Sequence, residues 1–239
     1  MQKLDMLYSG KAKMVYKTDD ANIYMVEYRD DATALNGLKK GSFDGKGIIN
    51  NQMSNMIFKY LAEKNIPNHF VEEISKRETL VKKVSIIPLE VIVRNIAAGS
   101  FANNFGVEEG TALKSSVLEY SYKNDSLGDP LINEYQAMAI GLATREDLDT
   151  IANMAFKING ELKTLFLSID LKLVDFKIEF GKTANGEIIL ADEISPDTCR
   201  LWQVGTDEKM DKDRFRRDLG GFQEAYEQVF ARLSSFLTQ

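Results

Sequence analysis

Cysteine and histidine are nearly absent: Cys199 and His69 are the single representatives of each in 239 residues. One thiol cannot close an intramolecular disulfide, and one of each leaves no Cys/His zinc centre. A Ser-His-Asp triad would have to use His69. That residue sits in Ile66-Pro67-Asn68-His69-Phe70, a helix exit beside proline and not a nucleophile elbow, so it reads as a surface histidine. Cys199 reads as a reduced thiol, which sets aside thiol redox chemistry. Positive charge is also in deficit: 36 acidic against 30 basic residues leave a net charge of -6. No overall field gathers nucleic acid or an anionic membrane, and an anionic ligand must meet a local cluster of Lys and Arg. No apolar stretch is long enough to span a bilayer, and Met1-Gln2-Lys3-Leu4-Asp5 lacks the apolar run of a signal peptide. Together these absences predict a cytoplasmic protein with neither nucleic-acid nor membrane partners.

The chain is long enough to bury a hydrophobic core, in one large domain or two small lobes. Leu7-Tyr8, a turn at Ser9-Gly10-Lys11 and Met14-Val15-Tyr16 predict a hairpin, with a third strand over 23–28. Ile49, Met53, Met56, Ile57, Tyr60 and Leu61 recur at helical spacing and stop at Asn65 and Pro67. Two branched apolar runs, 80–84 and 89–93, are separated by Pro88, which suits a linker between strands and a lobe boundary near Ser85. A short helix over 98–105 ends at Gly106, and 117–122 reads as a strand. Thr144 caps a long helix whose stripe runs Leu148, Ile151, Ala155, Ile158, Leu162, Leu165, Phe166. A last helix carries Phe215, Leu219, Phe222, Tyr226, Val229, Phe230, Leu233 and Leu237, and leaves room for a homodimer. Strands come in hairpins more often than alternating with helices, so the fold class is α+β with mainly antiparallel sheets: a β-rich lobe at 1–85 and a larger α+β lobe at 86–239.

The segment 172–193 is two strand-like runs around Thr183-Ala184-Asn185-Gly186, and Asn-Gly is a strong hairpin signal. Period two puts Val174, Phe176, Ile178 and Phe180 on one face and Asp175, Lys177 and Glu179 on the other. With Asn185 and Gly186 as the two turn residues, Glu179 falls directly opposite Asp192. Two facing carboxylates at about 4 Å would repel by roughly 4 kcal/mol at an effective dielectric near 20, so something positive belongs between them. Without histidine or thiolate, magnesium carrying a nucleotide fits. A solvated face neutralised by Lys177 fits the spacing equally well. Ser9-Gly10-Lys11-Ala12-Lys13 is not the P-loop pattern; alone it is a plain turn, and beside a magnesium site it becomes a phosphate cover. Arg94 ends an apolar strand with Ala97-Ala98-Gly99-Ser100 behind it, so its guanidinium and a helix start can converge on one anion. Arg200 follows the carboxylate hairpin, and Arg214, Arg216 and Arg217 open the last helix, where Arg214 and Arg217 read as solvated.

Five blocks, residues 8–16 (YSGKAKMVY), 93–100 (VRNIAAGS), 174–181 (VDFKIEFG), 192–202 (DEISPDTCRLW) and 211–216 (DKDRFR), closely resemble the phosphoribosylaminoimidazole-succinocarboxamide synthase, or SAICAR synthetase, family of purine biosynthesis. They run in family order across nearly the whole chain. The resemblance implies a two-lobed SAICAR synthase-like fold related to ATP-grasp enzymes and distantly to protein kinases. It also implies a ligase that joins carboxyaminoimidazole ribonucleotide to L-aspartate, giving the succinocarboxamide, ADP and phosphate. By this likeness ATP meets Gly10, Lys11, Ala12, Lys13, Val15, Lys82 and Lys123, while Glu179 and Asp192 hold Mg2+. The ribonucleotide meets Arg94, Ser100, Lys177, Arg200 and Arg216. No residue is carried over for aspartate. One departure is Ala34-Leu35-Asn36-Gly37, where an aromatic is more usual before Asn36.

A carboxylate is a poor electrophile, so ATP has to activate it before an amine attacks. The residues assigned to that chemistry are Lys11, Lys13, Lys123 and Lys177, which neutralise the transferring phosphoryl group, and Asp175, which accepts the amine's proton. A small-molecule kinase with the same ATP and metal site is the rival enzyme, and a nucleotide sensor the rival without catalysis.

Overall fold

In the computed structural model, which describes residues 1–34 and 38–238, the sequence opens on β1 (Lys3–Ser9), β2 (Lys13–Thr18) and β3 (Ile23–Tyr28), an antiparallel meander. A small hairpin, β4 (Asp31–Ala34) and β5 (Lys39–Ser42), leads into α1 (Lys46–Glu63). The departure noted at Leu35 and Asn36 lies outside the described residues. After α1 the chain returns through β6 (Phe70–Glu73) and β7 (Glu78–Lys82), completing a five-stranded antiparallel sheet in the order β1-β2-β3-β7-β6. The exit from α1 turns at Asn65, which has a left-handed backbone (φ 56°).

The sheet changes between Lys82 and Ser85. From there β8 (Ser85–Ile96), α2 (Gly99–Phe105), β9 (Ala112–Tyr122), β10 (Leu131–Ile132), α3 (Glu134–Ala139), α4 (Arg145–Leu167), β11 (Leu171–Lys182), β12 (Ile188–Ala191) and β13 (Cys199–Gln203) build a second antiparallel sheet. Its order is β10-β9-β8-β11-β12, with β13 also on β11. Pro88 does not separate two strands but lies inside β8. It is tolerated because the pairing with β11 is irregular there, stepping from Glu179↔Glu90 to Gly181↔Ile86, so the missing N–H interrupts no regular ladder.

The main core lies between this sheet and the helices. All seven residues of the α4 stripe are buried, and Thr144 and Asp147 form a reciprocal capping box at its start. α1 precedes Ser85 in sequence but buries Met53, Ile57 and Leu61 in this same core. The last helix is two: α5 (Asp213–Arg216) and α6 (Phe222–Leu237). Asp218, Gly220 and Gly221 all take left-handed backbone between them, which no helix accommodates, and Leu219 is exposed. α6 packs against α1, burying Phe222, Tyr226, Val229 and Leu233, while Phe230 and Leu237 of the predicted face are only partly buried. On β11 a register shift between Leu173 and Asp175 breaks the predicted phase: Val174 packs with Ala98 and Trp202, apart from Phe176, Ile178 and Phe180.

Candidate active site

Asp175, Lys177 and Glu179 share the face of β11 that is turned from the core, as period two requires. The β8 register pairs them with Arg94, Ile92 and Glu90, which places those three on the same face. The hairpin that brings Asp192 to this face is not the two-residue turn expected. Gly186 N donates to Thr183 O at 2.9 Å and Thr183 N to Glu187 O at 2.9 Å, with Gly186 at φ 83°. This is a three-residue loop closed by a glycine bulge, and it moves the register by one, so Glu179 pairs with Ala191. Continued regularly, the strand would turn Asp192 toward the core. Its left-handed backbone (φ 61°), which costs a non-glycine residue about 1–3 kcal/mol, returns its carboxylate to the wet face.

The two carboxylates therefore meet across cations and not across a ladder rung. Lys177 donates to Glu179 Oε1 at 3.0 Å and Glu90 Oε1 at 3.1 Å, and lies 3.6 Å from Asp192 Oδ2. Lys13 bonds Asp192 and stands 3.1 Å from Glu193, while Lys123 bonds Glu179. Burial opposes charge on Lys13 and Lys177, but the surrounding carboxylates outweigh it and hold both ammoniums well above the usual lysine pKa. The same cations outweigh burial at Asp192 and hold its carboxyl well below its ordinary range. Lys177 is thus a fixed positive charge and not a base.

Two clefts meet at this cluster. One, of about 290 Å³, lies between the sheets: Val15, Val26, Val81 and Ile86 give it apolar walls, and Lys13, Lys123, Glu179 and Asp192 give it a charged end. The other, of about 190 Å³, is lined by Arg94, Asp175, Lys177, Thr198, Arg200 and Arg216. In it, acids and guanidiniums alternate. Arg94 is buried and donates to Glu119 (2.7 Å), Asp175 (2.7 Å) and Ser100 (3.0 Å). Asp175 also accepts from Arg200 Nη1 at 2.8 Å, and Arg200 Nε reaches Asp213 at 3.0 Å. Asp213 in turn accepts from Arg216 at 2.6 Å.

The predicted phosphate cover is only partly assembled. Lys13 points into the cluster, but Lys11 is half exposed and pairs with Asp125 at 2.9 Å. Gly10 N is spent on Lys13 O at 2.8 Å, and Ala12 sits in the turn with its carbonyl accepting from Arg29 N. Val15 and Lys82 line the first cleft. His69 is buried and not on the surface, because residues 67–69 dock on β12: Leu190 N donates to Pro67 O and His69 N to Leu190 O. Burial pulls its imidazole down to about 4, so it lines the first cleft as a neutral ring. Cys199 is a buried thiol on β13.

Sequence reasoning missed Glu90, Glu119, Glu193 and Asp213. Period two along β8, with Leu89, Val91 and Val93 buried, was sufficient to place Glu90 beside Arg94 on the wet face. Glu119 and Glu193 carry no local signal, since their charged partners are distant in sequence; Asp213 lies three residues before Arg216, but its link to Arg200 depends on the fold. Among the described residues no cluster of three or more His, Cys, Asp or Glu side chains could hold a metal, and no helix is long and apolar enough to cross a membrane.

A family model described as SAICAR synthetase matches residues 6–233. The phosphoribosylaminoimidazole-succinocarboxamide synthase of Lachnoclostridium phytofermentans is 59% identical over 233 residues, 98% of this chain and 99% of that protein. The one from Clostridium botulinum is 57% identical over 234 residues, 98% of this chain and 100% of that protein. Among solved structures, the Ehrlichia chaffeensis synthase has a TM-score of 0.94 at 42% identity, covering 96% of this chain and 98% of that one. A SAICAR synthetase in complex with ADP also has a TM-score of 0.94, at 43% identity, covering 97% of this chain and 98% of that one. The chain belongs to the SAICAR synthetase family, the ATP-dependent ligases of purine biosynthesis.

Proposed function

We propose that this chain joins the carboxylate of carboxyaminoimidazole ribonucleotide to the amine of L-aspartate, with ATP giving ADP and phosphate. The observation that carries this reading is Lys177, whose ammonium lies beside Glu179 and Asp192 at the charged end of the first cleft while lining the second. A base and ribose suit the apolar walls of the first cleft, and phosphates suit Lys13 and Lys123 at its end; the similar SAICAR synthetase bound to ADP supports that placement. The anionic ribonucleotide suits the arginine cleft, held by Arg94, Ser100, Arg200 and Arg216. Lys11 reaches the phosphates only if it leaves Asp125.

Glu179 and Asp192 fit magnesium, which typically takes one or two carboxylates and completes its shell with phosphate and water; neither histidine nor thiolate competes. When bound there, the ion would offset the charge on the phosphates. The chain's own part is positional. Lys13, Lys123 and Lys177 fix positive charge where phosphoryl transfer develops negative charge, and the arginine cleft aims the substrate carboxylate toward them. One carboxylate oxygen attacks the terminal phosphorus, ADP leaves, the aspartate amine attacks the activated carbonyl, and phosphate departs with that oxygen. Asp175 is committed to Arg94 and Arg200, and its role is to orient them; the departing phosphate, a base at this stage, takes up the amine's proton.

The sheet change after Lys82 supports lobes at 1–85 and 86–239, with α1 reaching from the first into the core of the second. A buried unpaired thiol and a biosynthetic substrate support a cytoplasmic location. The test is an ADP-release assay in which ATP, aspartate, ribonucleotide and magnesium are omitted in turn. Dependence on all four is expected; release that ignores aspartate would make the protein a kinase.

A further inference from the structure

Building on the assignment of Arg200 and Arg216 to the ribonucleotide, we propose that Asp213 is a positioning residue for that substrate, acting through both guanidiniums at once. Asp213 is the first residue of α5 and is 1% exposed. One carboxylate oxygen accepts from Arg200 Nε at 3.0 Å and the other from Arg216 Nη1 at 2.6 Å. Its own backbone is anchored: Asp213 N donates to Asp211 Oδ1 at 2.7 Å, and Asp211 Oδ2 accepts from Leu201 N at 2.8 Å. Leu201 follows Arg200 on β13, so the acid and one of its guanidiniums are fixed to the same strand.

The Arg200 plane is confined from two further sides. Asp175 holds Nη1, and a Cβ built at Gly99 would stand 2.4 Å from Nη2, so only glycine leaves room for the guanidinium there. Among the described residues, no acceptor within hydrogen-bond reach engages Arg200 Nη2, nor Arg216 Nε or Nη2. Those are the donors left for a ligand in the shared cleft. An unconstrained arginine samples many rotamers, and one carboxylate restricting two of them reduces the ordering that ligand binding would otherwise require.

Charge and orientation predict opposite results. As a charge alone, Asp213 weakens the local positive potential, and its removal would tighten anion binding. As an orienting group, its removal loosens binding although the field becomes more positive. In Asp213→Asn the KM for the ribonucleotide should rise about tenfold to a hundredfold, with the KM for ATP changed by less than about twofold. Asp213→Glu, which restores the charge at longer reach, should recover part of the loss. A ribonucleotide KM that stays the same or falls in Asp213→Asn overturns the positioning role. Arg200→Gln and Arg216→Gln separate this from the site assignment: if both keep the ribonucleotide KM, the substrate lies elsewhere. If they raise it and Asp213→Asn does not, only the positioning role fails. Should Asp213→Asn fail to fold, Asp213→Glu alone decides, with a raised ribonucleotide KM expected and an unchanged one contradictory.

Discussion

The Lys177 ammonium lies 3.0 Å from Glu179 Oε1, two residues along the same face of β11, and the pair stands where the two clefts meet. An ammonium held among Glu90, Glu179 and Asp192 neutralises acids that would otherwise repel, and it stays charged because they keep its pKa well above normal despite burial. The structure therefore keeps one part of the plainer reading of these acids, neutralisation by Lys177, and corrects the rest: the face is buried and not solvated, with Glu179 2% exposed, and Lys13 and Lys123 share the neutralisation.

Charge retention at 177 should therefore matter more than proton transfer. Lys177→Met should reduce kcat by about a hundredfold or more, as loss of a preorganised charge does, whereas Lys177→Arg should keep a larger share. Steady-state kinetics on both variants checks this; equal losses would assign the lysine another task.

Glu179→Gln and Asp192→Asn test the proposed ion site separately. Each should raise the magnesium concentration needed for half-maximal rate by about tenfold or more, since each removes one charged oxygen donor. Rate measured against magnesium at saturating ATP decides it, and an unchanged demand in both would place the ion elsewhere.

Arg94→Lys preserves charge but loses the planar fork that reaches Glu119, Asp175 and Ser100 together. A lysine cannot satisfy three acceptors in one plane, so kcat/KM for the ribonucleotide should fall by about a hundredfold. Thermal unfolding measured alongside should show a lower midpoint, because Asp175 and Glu119 lose a buried partner.

Asp211 predicts a pH effect on stability. Burial and the neighbouring Asp213 carboxylate push its pKa up to about 7 from an ordinary 3.8. The folded protein thus binds this proton more tightly than the unfolded chain, a contribution fully present below the unfolded pKa and lost as pH rises through about 7. Urea titrations of wild type and Asp211→Asn at pH 5 and pH 8 should show the wild type's relative stability lower at pH 8. At about 1.4 kcal/mol per unit the difference is roughly 2–3 kcal/mol. The same gap at both pH values would contradict the shift.

Periodicity made most of this fold legible. The α4 stripe, its Thr144 cap, the first meander and the wet face of β11 all follow from local spacing. What escaped depends on single-residue geometry or distant partners. The loop at Thr183–Glu187 closes with one more residue than Asn-Gly suggested, and Asp192 compensates with a backbone that no pattern announces. Pro88 inside β8 needed the β11 irregularity, and His69 needed β12. Asp175 was legible as a wet-face acid, but its commitment to Arg94 and Arg200 depends on the β8 and β13 registers, which join residues far apart in sequence.

Transfer of oxygen tests most directly whether the two clefts act as one site. With 18O in the carboxylate of the ribonucleotide, one labelled oxygen should appear in each phosphate released during turnover with aspartate, because that oxygen attacks phosphorus and leaves with it. Phosphate released without label would contradict activation of the carboxylate across Lys177.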